Sequence, residues 1–523
     1  MSTPDEVEVY DTTLRDGAQL EGISLTVDDK LRIAEQLDWL GVHYIEGGWP
    51  GANPKDDEFF QRAKTELKLE TSTLVAFGST RRKLGKVDSD DTLRHLVEAD
   101  TSTVCIVGKC WDYHVEQALE TTLDEGVAMV ADSVEFLTRS GRAVMFDAEH
   151  FFDGYKRNPE FSLRVLEAAA ERGAATLVLC DTNGGALPHE VESAVTEVVA
   201  HLGDDVRVGV HLHDDAGCGV ANALAGVRGG ATQVQGTING YGERTGNCNL
   251  TSIIPNLTLK MGVRTIPPER LERLTPVSHH IAELVNMPLN PQQPYVGASA
   301  FAHKAGLHVS AIVRRPDAYE HVKPDAVGNG TRFVVSELAG KSTLQLKANE
   351  IGIELDGPTL NQVIDTLKTL EHEGYHFEAA DGSLELLMRR AGGWEHDFFR
   401  VESFRVITDE SDGRAFTTEA TMKVHVGGER LVRTAEGNGP VNALDRALRA
   451  AIGSHYPALE HVHLVDYKVR VLDTQKGTGA VTRVLLDSTN GDRSWSTIGV
   501  SENIIEASWQ ALADSIVYGL LHS

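Results

Sequence analysis

His211-Leu212-His213 sets two imidazoles two residues apart. On a β-strand that spacing projects both rings to one face, where they can share a divalent cation. An isolated pair of this kind is more often two hydrogen-bonded histidines in a polar interior, so the reading turns on a nearby carboxylate. Asp16 in DTTLRDG is our candidate, because two nitrogens, one oxygen and water make a site that suits Mn²⁺, Mg²⁺ or Zn²⁺. Arg15 stands beside it. As a surface ion pair it would do little, but a fixed guanidinium at a ligand site can polarise a carbonyl or hold an oxyanion. GYGERTGNCNL lets backbone come close to a ligand through its glycines, although its spacing matches no phosphate loop, and Asn247 within it reads as a metal-shell residue. Cys218, three residues past Asp215, has no assignable basic partner and reads as a packed thiol.

These residues need a scaffold that brings them together. From residue 7 to about 240, short β-branched runs alternate with helical patterns, the mark of βα units. The expected strands are Val7 to Thr12, Val42 to Glu46, Thr71 to Phe77, Thr103 to Val107, Ala143 to Ala148, Thr176 to Asp181, Arg207 to His213 and Thr232 to Ile238. Eight such strands predict a closed (β/α)8 TIM barrel, with an open doubly wound sheet as the other arrangement of the same units. In a barrel the strand exits converge on one mouth. There we place DTTLRDG, Glu46, Asp147, Glu149, Asp181, Thr182 and the two histidines, with strands 1 and 7 near enough to join Asp16 to the pair.

The barrel is expected over 1–275, a helical connector over 276–380 and an α+β domain over 381–523. In the last, GGERLVRTAEGNGPVNALDRALRAAI lies beside NGDRSWSTIGVSENIIEASWQALADSI as an internal repeat, each running from turn to strand to helix. The composition, 41% hydrophobic and 24% charged in 523 residues, is that of a folded protein. A formal net charge of −28 with no basic patch argues against nucleic acid and membrane surfaces as partners. Five cysteines, none in a C-x-x-C pair, argue against a disulfide framework or a thiolate zinc site. With no signal-type start and no apolar run of about eighteen residues, a cytoplasmic protein is expected.

DTTLRDGAQ, HLHDDAG, NGYGERTGN and AFAHKAGLH, in that order over some three hundred residues, resemble the acetyl-CoA-dependent Claisen-condensing synthases, the family of isopropylmalate, homocitrate and citramalate synthases. The opening fifty residues are most similar to its longer bacterial citramalate branch, and the C-terminal repeat resembles the family's regulatory domain. The resemblance implies a transferase that condenses acetyl-CoA with a 2-oxo acid, pyruvate for the citramalate branch, serving isoleucine biosynthesis. It implies a metal on Asp16, His211 and His213 with Asn247 close by, and it implies that Arg15 and Thr182, with Gln19, bind the acid. Glu149 would position a water or substrate, while His308 and Tyr319 would reach the site from the connector, often that of a neighbouring subunit. A homodimer and an isoleucine effector are further implications. One departure is visible: the family usually has Asn after H-x-H, where this chain has Asp214.

Overall fold

In the computed structural model, residues 3–203, 205–304, 306–335, 341–410, 416–472, 477 and 479–523 are described. The chain packs into two compact units, Met1–Phe301 with His321–Thr331, and Ala302–Glu320 with Arg332–Ser523.

The first unit is a closed parallel barrel in sequential order, β1 (Glu8–Asp11), β2 (Tyr44–Gly48), β3 (Thr73–Ser79), β4 (Thr103–Lys109), β5 (Ala143–Glu149), β6 (Thr176–Asp181), β7 (Val208–Leu212) and β8 (Gln233–Gly236). Closure comes from β1 pairing with β8, Glu8 opposite Gln233 and Asp11 opposite Gly236. Strand side chains alternate between two surfaces. Val9, Ile45, Val104 and Phe146 face outward onto the helices and form the main core, whereas Tyr10, Val75, Phe77, Cys105 and Met145 fill the barrel interior.

The closed barrel, not the open sheet, is what these units build, and all eight expected strands are present. Five begin later than expected, β1, β7 and β8 by one residue and β2 and β3 by two. β3 starts at Thr73 because the Asp38 carboxylate accepts from the backbone N–H groups of Glu70, Thr71 and Ser72, tying them into a turn. β2 runs on to Gly48, with an irregularity between Glu46 and Gly48 that bends its exit. The helix Val27–Leu40 shows how local chemistry sets the ends: Thr26 and Asp29 form a capping box, and Gly41 closes it at φ 96°, where a Cβ would be strained.

The second unit holds a short parallel pair, β9 (Ala302–His303) and β10 (Arg332–Phe333), and the helices Gly306–Arg314, Lys341–Glu350, Gly357–Glu373 and Asp381–Ala391. Two copies of one motif follow. Antiparallel strands β11 (Arg400–Asp409), β12 (Thr417–Val426) and β13 (Glu429–Gly437) lead into the helix Pro440–Ile452; β14 (His463–Val471), β15 (Thr482–Thr489) and β16 (Ser494–Ser501) lead into Ile504–Leu521. Each copy breaks register early in its first strand, at Val401/Ser403 and at Leu464/Asp466. Met422 and Val424 of the first copy share one core with Val484 and Leu486 of the second, sealed by Leu444, Leu448, Leu512 and Ile516 from the helices. The repeat is therefore structural. Of the expected segments, AFAHKAGLH has Ala305 outside the described residues.

Candidate active site at the barrel mouth

β1 leaves the barrel through a tight turn in which Arg15 N and Gly17 N both donate to Thr12 O. Thr12 Oγ1 also receives the N–H of Asp16, at 3.3 Å. This turn swings Arg15 and Asp16 over the mouth, toward β7. His211 in β7 and His213 just past its end present their rings on one side, centroids 5.4 Å apart. Asp16 Oδ2 lies 3.4 Å from His211 Nε2 and 3.8 Å from His213 Nε2, and all three residues are buried.

Whether this trio suits a cation can be judged from its unused atoms. Ligand atoms of Asp16, His211 and His213 all lie within 4.8 Å of one another, and no other group of three His, Cys, Asp or Glu among the described residues does so. Asp16 Oδ1, His213 Nδ1 and Asn247 Oδ1 are buried with no hydrogen-bond partner, an unfavourable state for polar atoms unless something completes them. His211 Nδ1 is bound to Gln235 Oε1 at 2.8 Å, and Gln235 Nε2 donates to Asp147 Oδ1 at 3.2 Å. With its proton on Nδ1, His211 turns the Nε2 lone pair to the trio, as metal-ligating histidines do. Burial opposes charge on Asp16, yet the Arg15 guanidinium and the two histidines hold its carboxyl well below the usual carboxylate range. Burial, helped by the neighbouring His211, pushes His213 down to about 4, so its ring is neutral at pH 7. A buried O,N,N set of this kind fits a divalent metal.

Arg15 is pinned from two sides. Its Nε donates to Glu46 Oε2 at 2.5 Å and its Nη1 to Asp16 Oδ2 at 3.1 Å, while the guanidinium lies 3.8 Å above the Phe77 ring centroid. Glu46 is fully buried and also accepts from Tyr10 OH at 2.6 Å and Thr12 Oγ1 at 2.5 Å. Burial raises the Asp147 carboxyl to about 6.

Arg15, Asp16, Gln19, Glu149, Thr182, His211 and His213 all line one cavity of about 220 Å³. Glu149 is ion-paired with Lys109. Thr182 Oγ1 accepts from His150 N at 2.9 Å, and Thr182 O accepts from Arg244 Nη2 at 2.8 Å. Asn247 sits behind the wall, bridged through its backbone to His213 and donating from Nδ2 to Tyr241 O at 3.1 Å. Asp214, the departure noted in the sequence, turns onto the helix Gly219–Arg228, where its Oδ1 accepts the Gly219 N–H at 2.6 Å. His308 and Tyr319 belong to the second unit; both are exposed and their rings stack at 4.3 Å.

Several residues at this mouth carried little mark in the sequence. Gln235 orients His211, yet its only signal was a polar residue alternating with Gln233 in an otherwise strand-like run. Arg244 and Glu243 reach the cavity from the glycine-rich segment, which folds back because Gly246, at φ 93°, lies too close to Gly240 O for any side chain.

Three family models match the chain: HMGL-like over residues 6–278, Homocitrate synthase post-HMGL domain-like over 295–375, and LeuA allosteric (dimerisation) domain over 378–520. The (R)-citramalate synthase of Aquifex aeolicus is 54% identical over 99% of this chain and 98% of its own length. That of Streptomyces coelicolor is 52% identical over 99% and 97%. A Methanopyrus kandleri protein named "Probable 2-isopropylmalate synthase" is 33% identical over 98% of each chain.

Proposed function

The chain belongs to the HMGL-like family and, within it, to the (R)-citramalate synthases, and from that premise we propose that it condenses acetyl-CoA with pyruvate and hydrolyses the thioester to release citramalate and CoA. The observation that carries the reading is the full-length identity to (R)-citramalate synthases, which spans the barrel and the terminal repeat alike. The arrangement at the mouth supports it. Asp16, His211 and His213, with Asn247 beside them, would hold Mn²⁺, Mg²⁺ or Zn²⁺, which when bound supplies Lewis acidity at the ketone oxygen of the acceptor.

The chain's own residues do the rest. Arg15, immobilised by Glu46 and Asp16, offers fixed positive charge to the acid and to the alkoxide that develops as the new bond forms. Thr182 and Gln19 orient the acid from neighbouring walls. Glu149 positions a water or the substrate. His308, aided by the stacked Tyr319, is the proposed base that takes a proton from the acetyl methyl.

We read 1–275 as the catalytic domain, 276–380 as the connector and 381–523 as a regulatory domain. The LeuA dimerisation match supports a homodimer there, with isoleucine as the proposed effector. No helix among the described residues is long and apolar enough to cross a membrane, in keeping with a proposed cytoplasmic site. The match to the homocitrate synthase post-HMGL domain favours one second reading, a sister synthase acting on a larger 2-oxo acid.

Release of CoA thiol by the metal-reconstituted protein, given acetyl-CoA with pyruvate, 2-oxoisovalerate or 2-oxoglutarate in separate reactions, decides between them. Preference for pyruvate is expected; preference for either larger acid moves the chain to the sister synthases, and release with none rejects both. Isoleucine added to the same assay should lower turnover, and an unchanged rate and melting temperature would remove the effector from the proposal.

A further inference from the structure

His150, which none of the roles above uses, ties the exits of β5 and β6 together. It follows Glu149 and holds φ 55°, ψ 34°, the left-handed region that a residue with a Cβ enters only under strain. In that conformation its backbone N–H reaches the next strand exit and donates to Thr182 Oγ1 at 2.9 Å. Its imidazole Nδ1 stands 3.4 Å from Asp153 Oδ2, and the same oxygen accepts from Asn183 Nδ2 at 2.7 Å. The ring is backed by His114, whose centroid is 4.4 Å away in an edge-on arrangement. Thr182 is held on its other side as well, through its carbonyl, by Arg244. Strained backbone persists where surrounding contacts over-determine it, and these contacts do so beside the cavity.

A hydroxyl carries one proton and accepts through its lone pairs. Because Thr182 Oγ1 already accepts from His150, its proton is turned away from His150, and Thr182 lines the cavity. We propose that His150 is a positioning residue: its left-handed backbone and its imidazole link to Asp153 orient the Thr182 hydroxyl as a hydrogen-bond donor to the carboxylate of the 2-oxo acid. This rests on the reading that Thr182 holds the acid. His150 thereby acts on acceptor binding through Thr182 and leaves the acetyl-CoA side untouched.

Steady-state kinetics of the full-length, metal-loaded enzyme test this with H150A, H150N, T182V and the double variant H150A/T182V. H150A should raise the KM for pyruvate about tenfold, change kcat by less than about threefold and leave the KM for acetyl-CoA unchanged. H150N should restore most of the pyruvate KM, because Asn enters the left-handed region readily and keeps a short polar side chain there. The double variant should bind pyruvate no more weakly than T182V alone. An unaltered pyruvate KM in H150A, or a double variant showing the product of both single effects, overturns the proposal while leaving Thr182 in its role. An unaltered pyruvate KM in T182V overturns the reading of Thr182 itself, and the proposal with it. Should H150A fail to fold, H150G keeps the backbone geometry without the imidazole; a smaller rise in the same KM is expected, and none overturns the proposal.

Discussion

His211 Nδ1 is bound to Gln235 Oε1 at 2.8 Å, so one amide decides which imidazole nitrogen faces Asp16. Gln235→Leu removes the tie and leaves both the tautomer and the ring angle free. Residues that orient a metal-binding histidine are typically worth about 10- to 100-fold in metal affinity. We therefore expect Mn²⁺ affinity to fall by about that factor, read by competition with a chelator, with the circular dichroism spectrum unchanged. Wild-type affinity in Gln235→Leu would mean that the Gln235 contact does not orient His211.

Glu46 fixes Arg15 through a buried contact of 2.5 Å. Glu46→Gln keeps the volume but removes the charge, so the guanidinium is held by Asp16 alone. Loss of one preorganised electrostatic contact of this kind costs about 10²-fold in turnover. The expected outcome is a fall of that order in kcat/KM for pyruvate. Glu46→Ala should also destabilise the fold, by about 1–3 kcal/mol, because the buried Tyr10 and Thr12 hydroxyls lose their acceptor while Arg15 keeps Asp16. Full activity in Glu46→Gln would show that Arg15 needs no second anchor.

Metal binding should be visible in stability as well as in rate. Cation at about a hundredfold above its dissociation constant adds about 3 kcal/mol to the state that binds it. Removing metal with a chelator is expected to lower the melting temperature, and Mn²⁺, Mg²⁺ or Zn²⁺ to restore it. Asp16→Asn should abolish that metal-dependent change, and a change of wild-type size in Asp16→Asn would place the cation elsewhere.

Asp11 gives a pH dependence with a definite sign. Burial raises its carboxyl from 3.8 to about 7, although Thr13 N and Oγ1 donate to it at 2.8 and 2.9 Å. The folded chain thus holds a proton on Asp11 at pH values where the unfolded chain has lost it. Its contribution to stability is complete below pH 3.8, declines as pH rises through about 7 and is constant above. Each tenfold gain in proton affinity on folding is worth about 1.4 kcal/mol, so the whole span amounts to about 4 kcal/mol. Denaturant unfolding of wild type and Asp11→Asn at pH 5 and pH 8 should show a smaller loss of stability in the variant; equal losses would place the Asp11 pKa near its ordinary value.

Much of the scaffold was legible because strand and helix signals are local. β6 spans Thr176–Asp181 as expected, and β4 begins at Thr103 as expected. Where expectation and structure part, a distant side chain intervenes, as when Asp38 takes the N–H groups of Glu70, Thr71 and Ser72 and delays β3. Asp214 stood out only against the family resemblance, in which Asn usually follows H-x-H. That its carboxylate turns onto Gly219 needed the fold.

By itself the sequence determined the eight βα units, the duplicated terminal motif and the residue types at the strand exits, since periodicity and motif spacing are written along the chain. Only the tertiary structure decided which side chains act on one another at the mouth. Closing the barrel sets His211 against Gln235, 24 residues on, and Arg15 against Glu46, 31 residues on. It also brings His150 to Thr182 across 32 residues. Such pairings follow from strand adjacency and from the turn each strand makes at its exit, and hydrogen-bond geometry at a distance of that kind has no one-dimensional signature.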